Sequence, residues 1–465
     1  MADKKIILQD VTVDGVEYLR LVSVSISHTA NEFARASIKI LVDEKKGKKF
    51  FEQANADKIK ISANKKVIFQ GYISNMMFQK DLEHAYLQID LLDAACMLDW
   101  KIDSQTFQNL SAKYEELFKT IKDAKIQLKV TDKAIKNVIV RLNETGWQFA
   151  KRLASHFSAM IFTDLTAEKP LLTIGLPEPK KSWELPTSEV KYYFDDEKFQ
   201  FLSANKKKLA EGVKIVAEDF KTLQLESNFE ILNVGDEVKF DKKSYRVKSF
   251  RINFAEHYLN VNYEVVGKSA FVVPIEEQKN ISGRIFRAQV KKVEKDKIQA
   301  HFVDIDKSFD SKSTAMYTFA TSYSSADGSG WYVMPEVDDY VRILFPSIDT
   351  ADAFAMSSIN TAPLKDPKNK SFKAPGGREI LLTEKGVEII ADHQKTFILI
   401  DKDKGVNIVS AKDIILSADG NINFDAKGKV QIVSGKEIAA QSGQSHVKIL
   451  SNQIGMGGSN IIVGE

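Results

Sequence analysis

From Val406 onward, apolar side chains return every eight residues. Broken at that period, the chain reads VNIVSAKD, IILSADGN, INFDAKGK, VQIVSGKE and IAAQSGQS. Position one is always Val or Ile. Position three runs Ile408, Leu416, Phe424, Ile432 and then Ala440. Two positions two residues apart lie on one face of an extended strand, whereas a helical face recurs at about 3.6 residues. Gly420, Gly428, Gly435 and Gly443 fall near the block ends, where corners need permissive backbone. Each block therefore fits one short strand plus one corner. A single such strand closes no core. One chain wound alone would use three blocks per coil and finish with little buried. Three chains, each giving one side, close the core, give every block the same surroundings and largely remove lateral sheet edges. The pattern predicts a trimeric β-helix. Val406, Ile408, Ile414, Leu416, Ile422, Phe424, Val430, Ile432 and Ile438 would pack at its axis. If the chain from Arg378 supplies about ten strands stacked at roughly 4.8 Å, the rod is about 50 Å long.

The remaining chain is mostly of the two-residue period. Residues 1–100 alternate apolar and polar positions around a turn at Asp14-Gly15, which predicts a first β-barrel. Residues 101–160 change to a helical period and predict a helical insertion. Tyr114, Leu117, Phe118 and Ile121 share one face, with Ser111 as cap. Trp147, Ala150, Leu153, Ala154 and Phe157 share another, with Thr145 as cap and His156 beside it. Residues 161–275 return to β and predict a second barrel, with a turn at Gly235-Asp236. VVPIEEQKN, around Pro274, reads as a linker. Residues 276–362 fit a five-stranded barrel of the OB type, with Trp331, Val341, Ile343 and Phe345 in its core. TAPLKDPKNKSFKAP reads as a connector, and residues 363–465 hold the β-helix. The fold class is mainly β: tandem β-barrels with a helical insertion, an OB-fold collar and a trimeric C-terminal β-helix.

Composition narrows the chemistry. The formal net charge is +3 over 465 residues, too small for a global field that attracts nucleic acid. In the OB segment Arg284, Arg287, Lys291 and Lys292 are offset by Asp304, Asp306, Asp338 and Asp339, so no nucleic-acid partner is expected. Cys96 is the single cysteine, so neither a disulfide nor a Cys-based zinc site is expected. MADKKIILQD lacks the apolar core of a signal peptide, and no stretch of eighteen apolar residues predicts a transmembrane segment. Gly267-Lys268-Ser269 lacks the upstream glycine of a P-loop, because Asn262 stands there. Asp304 to Asp310 lacks the central glycine and distal glutamate of an EF-hand loop. The histidines are scattered. Three copies of His446 would form a ring able to hold an axial ion, but no metal ligand set, cofactor or catalytic residue is read from this sequence. The expectation is a protein that is not an enzyme.

The C-terminal run HVKILSNQIGMGGSNIIVGE keeps the alternation and ends apolar. An apolar disc with open strand ends predicts a separate tip protein seated on Ile461, Ile462, Val463 and Gly464. The order of parts resembles the VgrG family of hub and spike proteins. NETGWQFAKRLASHFSAMIF looks like the family's helix-to-strand segment, and GSGWYVMPEVDDYVRILFP looks like its OB segment. The octads look like its spike, although spikes of that kind often carry Gly after Val at position three. Here Ile408, Leu416, Phe424 and Ile432 imply a bulkier axis. The resemblance implies a homotrimer in a contractile injection system: a type VI secretion system or a phage tail-like extracellular particle. The two barrels of three chains would form a pseudo-sixfold baseplate hub that nucleates hexameric rings of an inner tube protein. Baseplate proteins and a PAAR-type tip protein would be its partners. The target membrane would be met only by mechanical puncturing. Assembly is expected in the cytoplasm as part of a particle, followed by injection or release. The alternative is a trimeric tail-fibre or adhesin-like surface-binding protein.

Overall fold

A computed structural model describes residues 6–53, 58–184, 191–227, 231–255, 258–362 and 364–462. The chain is mainly β and divides into two compact units, Met1–Asn360 and Thr361–Glu465.

In the first unit, alternation builds a twelve-stranded sheet. Ala85–Asp93 buries every second residue and Arg35–Val42 does nearly the same, as strands with one covered face must. The main path runs Val11–Asp14, Lys58–Ala63, Lys66–Lys80, Ala85–Asp93, Arg35–Val42 and Arg20–Thr29. It then crosses to Lys243–Ala255, Tyr258–Val266, Lys221–Ser227 and Lys191–Phe194. The crossing is an antiparallel pairing of Ser25 through Thr29 with Asn253 through Ser249. The two expected barrels therefore share one sheet. They also share one core, in which Ile38, Ile40, Phe69, Val247, Ile252 and Tyr263 are fully buried.

The expected helical insertion is mixed. Ile102–Phe107 pairs with Ile139–Thr145, and Lys125–Leu128 joins a three-stranded sheet with Leu171–Ile174 and Ile161–Thr163. The helix read from a Ser111 cap through Ile121 shrinks to Tyr114–Phe118. Asp123 takes a left-handed φ of 65°, and the residues after it enter the sheet. Lys113, not Ser111, occupies the cap position, and its N–H is bound by the Glu116 carboxylate. Gly146–Ser155 does form a helix. Thr145 caps it by accepting from Gln148 N, while the Gln148 side chain accepts from Thr145 N.

Five antiparallel strands follow, in the order Tyr317–Thr318, Lys297–Phe302, Arg284–Glu294, Tyr340–Phe345 and Phe354–Ser358. A bridge between Phe319 and Ala355 links the two edges and closes the sheet on itself. Val341, Ile343 and Phe345 are fully buried there beside Phe302. Trp331 is not in this core. It is 59% exposed, because it follows a surface hairpin closed by the Ser324–Gly330 bridge. Val138 and Val140 of the insertion complete the core, and Asp306 accepts hydrogen bonds from Thr106 N and Oγ1. The expected linker is tied down as well. Glu276 N donates to Ser155 Oγ, and buried Gln278 donates to the Leu142 carbonyl.

Candidate functional site: unpartnered legs in the C-terminal unit

The second unit opens with a meander of Lys370–Lys373, Glu379–Leu382, Gly386–Asp392, Thr396–Asp401 and Gly405–Val409, each antiparallel to the next. Its first strand lies inside the segment read as a connector. The last turn is held by Asp401 Oδ1, which accepts from Asp403 N and Lys404 N. These N–H donors, Asp403 first, hold the Asp401 carboxyl below its usual range. Gly405 completes that turn at a φ of 81°, open to glycine without strain.

After Val409 the strand pairing stops. The backbone bends at 411–412, 419–420, 427–428 and 435–436, every eight residues. Between the bends lie three extended legs of six residues, 413–418, 421–426 and 429–434. Each would span about 20 Å at strand rise. Among the described residues, no leg pairs with another strand of its own chain. At the bends Lys412 N donates to Ser410 Oγ, and Lys436 N and Glu437 N donate to Ser434 Oγ, while Ala411 N reaches back to Thr396 Oγ1 of the meander. Ile414, Leu416, Ile422, Phe424, Val430 and Ile432 all lie exposed along the legs. A row of bare apolar side chains is costly in water, and extended backbone with N–H and C=O groups free of protein partners is a template for pairing with another chain.

The first and fifth octads differ from the middle three. Val406 and Ile408 sit on the last meander strand. Ile438 sits on Glu437–Ser442, which hairpins with Ser445–Leu450 and then Ile454–Gly457. Five uniform stacked blocks were expected. In-chain pairing claims the outer two, because a tight turn at Gly443 and the meander turns give them antiparallel neighbours. Of the expected tip-binding residues, Ile461 and Ile462 are exposed, and Val463 and Gly464 lie outside the described residues.

Chemistry in the first unit clusters where three segments meet. His28, Thr163, Asp164, Lys129, Lys180 and Glu178 line a cavity of about 350 Å³. His28 is buried. Thr163 Oγ1 donates to Asp93 Oδ2 at 2.5 Å and lies 3.1 Å from His28 Nε2. Burial drives the His28 imidazole down to about 4 and the Asp93 carboxyl up to about 6. His156, expected beside an apolar face, is buried with its Nδ1 2.6 Å from the Tyr114 hydroxyl. Burial, then nearby Arg152, pulls it to about 4. No group of three or more metal-capable side chains converges among the described residues. In the five-stranded module Arg287 pairs with Asp304 and Lys291 with Asp338, so these cations are locally balanced. No helix among the described residues is long and apolar enough to cross a membrane.

The two histidines give a pH expectation. Unfolded, each binds a proton below about 6.5; folded, each binds one only below about 4. Stability carried by neutral His28 and His156 is therefore complete above 6.5 and lost as pH falls toward 4. Asp93 acts oppositely, since its folded form holds a proton up to about 6, and the raised carboxyls of Asp306 and Glu277 share its sign. Those carboxyls are common to the wild type and a His28→Asn/His156→Asn variant. Between pH 6.5 and 4, thermal melts should show wild type losing stability relative to that variant. The slope should be about 1.4 kcal/mol per pH unit for each histidine. Parallel curves would refute it.

No family model matches the sequence, and no curated protein matches it either. Solved structures match its fold. The E. coli c3393 protein is a component of the type VI secretion system with structural similarity to T4 bacteriophage tail proteins gp27 and gp5. It aligns with 75% of this chain and 99% of its own, at TM-score 0.53 and 11% identity. A chain of the half-lidded Francisella PdpA–VgrG complex aligns over 86% of this chain and 87% of its own, at TM-score 0.51 and 9% identity. At such identities the likeness is one of fold. The chain thus carries the mainly β fold of a secretion component that is itself built like phage tail proteins.

Sequence reading missed the cavity and its buried polar cluster. His28, Asp93 and Thr163 come from three strands far apart in sequence, and no local motif joins them.

Proposed function

We propose that this chain is a VgrG-like hub and spike of a contractile injection system, acting as a homotrimer. The observation that carries the reading is the run of three unpartnered legs with bends every eight residues and exposed apolar positions one and three. Two further copies would supply the missing backbone partners and bury the apolar rows at a common axis. The closed five-stranded module would serve as an OB-fold collar. The first unit, three times over, would form the hub from which rings of an inner tube protein grow. Baseplate proteins would surround it, and a PAAR-type tip protein would cover the apolar end at Ile461 and Ile462. The role is mechanical: a stiff rod transmits force generated elsewhere and punctures a membrane. No catalysis by this chain is proposed. Assembly would occur in the cytoplasm, and the particle would act outside the cell.

Native mass measurement tests the reading. Three times 52.3 kDa is expected, together with electron-microscope images of a wide head with a central passage and a thin spike. A single-chain mass would overturn it.

A further inference from the structure

The cavity of about 350 Å³ in the first unit has no part in the spike reading, and the chain itself builds its walls. One wall is a face of the three-stranded sheet. Register sets Gln127 beside Thr173, and Thr173 beside Phe162. Leu171, two residues from Thr173, falls on the same side. The reverse side, with Ile161, Leu172 and Ile174, is fully buried in the core of the insertion. The facing wall is the turn at 233–236 together with Pro177. Buried Asp236 holds it by accepting from Asn233 N, Lys180 N and Lys181 N. Buried Arg246 donates to the Gly235 and Pro177 carbonyls. Gly235 takes a φ of 90°, and a Cβ there would sit 2.7 Å from Pro177 Cγ.

Polar groups at this cavity are left over. Among the described residues, the side chains of Gln127, Lys129 and Glu178 make no hydrogen bond or ion pair. Thr163 gives its proton to Asp93, so His28 Nε2 carries the hydrogen that meets Thr163 Oγ1. His28 Nδ1 is then a bare acceptor, buried without a partner, and such a group calls for a donor. The charges are also set apart. Asp164 N donates to the Leu171 carbonyl, and Lys129 N to the Ile174 carbonyl three residues further along the same strand. Acidic and basic anchors therefore stand about 10 Å apart at strand rise. Asp164 Oδ2 meets Lys180 Nζ at 3.4 Å, a loose pair that a ligand ammonium could replace, and Glu178 adds a second carboxylate.

We propose that this cavity binds a short peptide with free ends, its ammonium toward Asp164 and Glu178 and its carboxylate toward Lys129. Three extended residues span about 10 Å. Gln127 and Thr173 would meet the amide groups, and the peptide's side chains would rest on Phe162, Leu171 and Val234. A donor from the peptide, or a water it carries, would satisfy His28 Nδ1. A ligand of one sign would leave one anchor unanswered. The volume is at the small end of the range for ligand pockets, which limits the peptide to a few residues. The inference does not depend on the trimeric reading.

Calorimetric titration of the full-length protein tests it. Wild type should bind alanyl-leucyl-alanine. Acetylating its amine or amidating its carboxylate should each weaken binding about tenfold. Lys129→Ala should weaken the free peptide about tenfold but the amidated one by less than about twofold, because that pair is already broken. Glu178→Gln should weaken the free peptide more than the acetylated one. Both side chains are exposed, so the two variants should keep the wild-type melting curve. No binding up to about 10 mM, equal binding of free and blocked peptides, or undiminished binding by Lys129→Ala would each overturn the proposal. The native mass is untouched by any of these results, so the spike reading stands or falls separately.

Discussion

Ile422→Asp should strip the legs of protection. In the proposed trimer the wild-type amides of 413–434 should exchange slowly, and in Ile422→Asp roughly a hundredfold or more faster. Each copy forfeits about 1.5–3 kcal/mol of apolar burial. It would also place a carboxylate at the axis with only two copies of itself for company, a further penalty of several kcal/mol per ion. The control is its neighbour by one octad and one position, Ile415. That side chain is 83% exposed, and, following Ile414, it would fall on the other side of an extended leg. Ile415→Asp should change exchange by less than about twofold. Equal effects at both positions would show that the legs have no axial face.

Glu144→Ala is the other large expectation, and it concerns the first unit. Arg152 and Glu144 are 5% and 9% exposed. They form a two-pronged pair: Arg152 Nε to Glu144 Oε1 at 2.8 Å, and a terminal guanidinium nitrogen to Oε2 at 2.7 Å. That nitrogen also donates to the Val140 carbonyl at 2.9 Å. Arg141 donates to the Glu144 carbonyl, and both guanidiniums lie over the Phe149 ring. Removing the carboxylate strands a buried cation and should cost about 3–5 kcal/mol. The unfolding transition of the first unit should drop by several degrees. Glu144→Met/Arg152→Met removes both charges and should recover most of the loss. If the double variant were as weak as Glu144→Ala, packing rather than charge would be responsible.

The legs were legible because their period is unlike that of any other element. The register of the meander was not. Its strands differ in length, and the turns between them break any fixed spacing, so only the pairing of Ile380 with Ile389, and of Ile389 with Ile398, aligns them. Alternation announced the large sheet, but its continuity rests on Ser25–Thr29 meeting Ser249–Asn253, a contact between distant parts of the chain. The Gly146–Ser155 helix was readable because Thr145 and Gln148 encode its start locally. The shorter helix was overestimated, since sheet pairing by Lys125–Leu128 outweighed an apolar helical face. Trp331 misled because a large apolar side chain is an ordinary sign of a core, whereas the Asp327-Gly328-Ser329-Gly330 run just before it marks a surface hairpin.

A cable whose strands look the same after every eighth link gives no clue where to begin braiding. In the proposed trimer, chains displaced by one block would still match Val or Ile against Val or Ile along the legs. The irregular stretch from Phe372 to Ile408 has no such ambiguity, so it would act as the starting knot, and the terminal hairpins as the finishing one. Faithful alignment of the copies would then depend on the parts of the sequence that do not repeat.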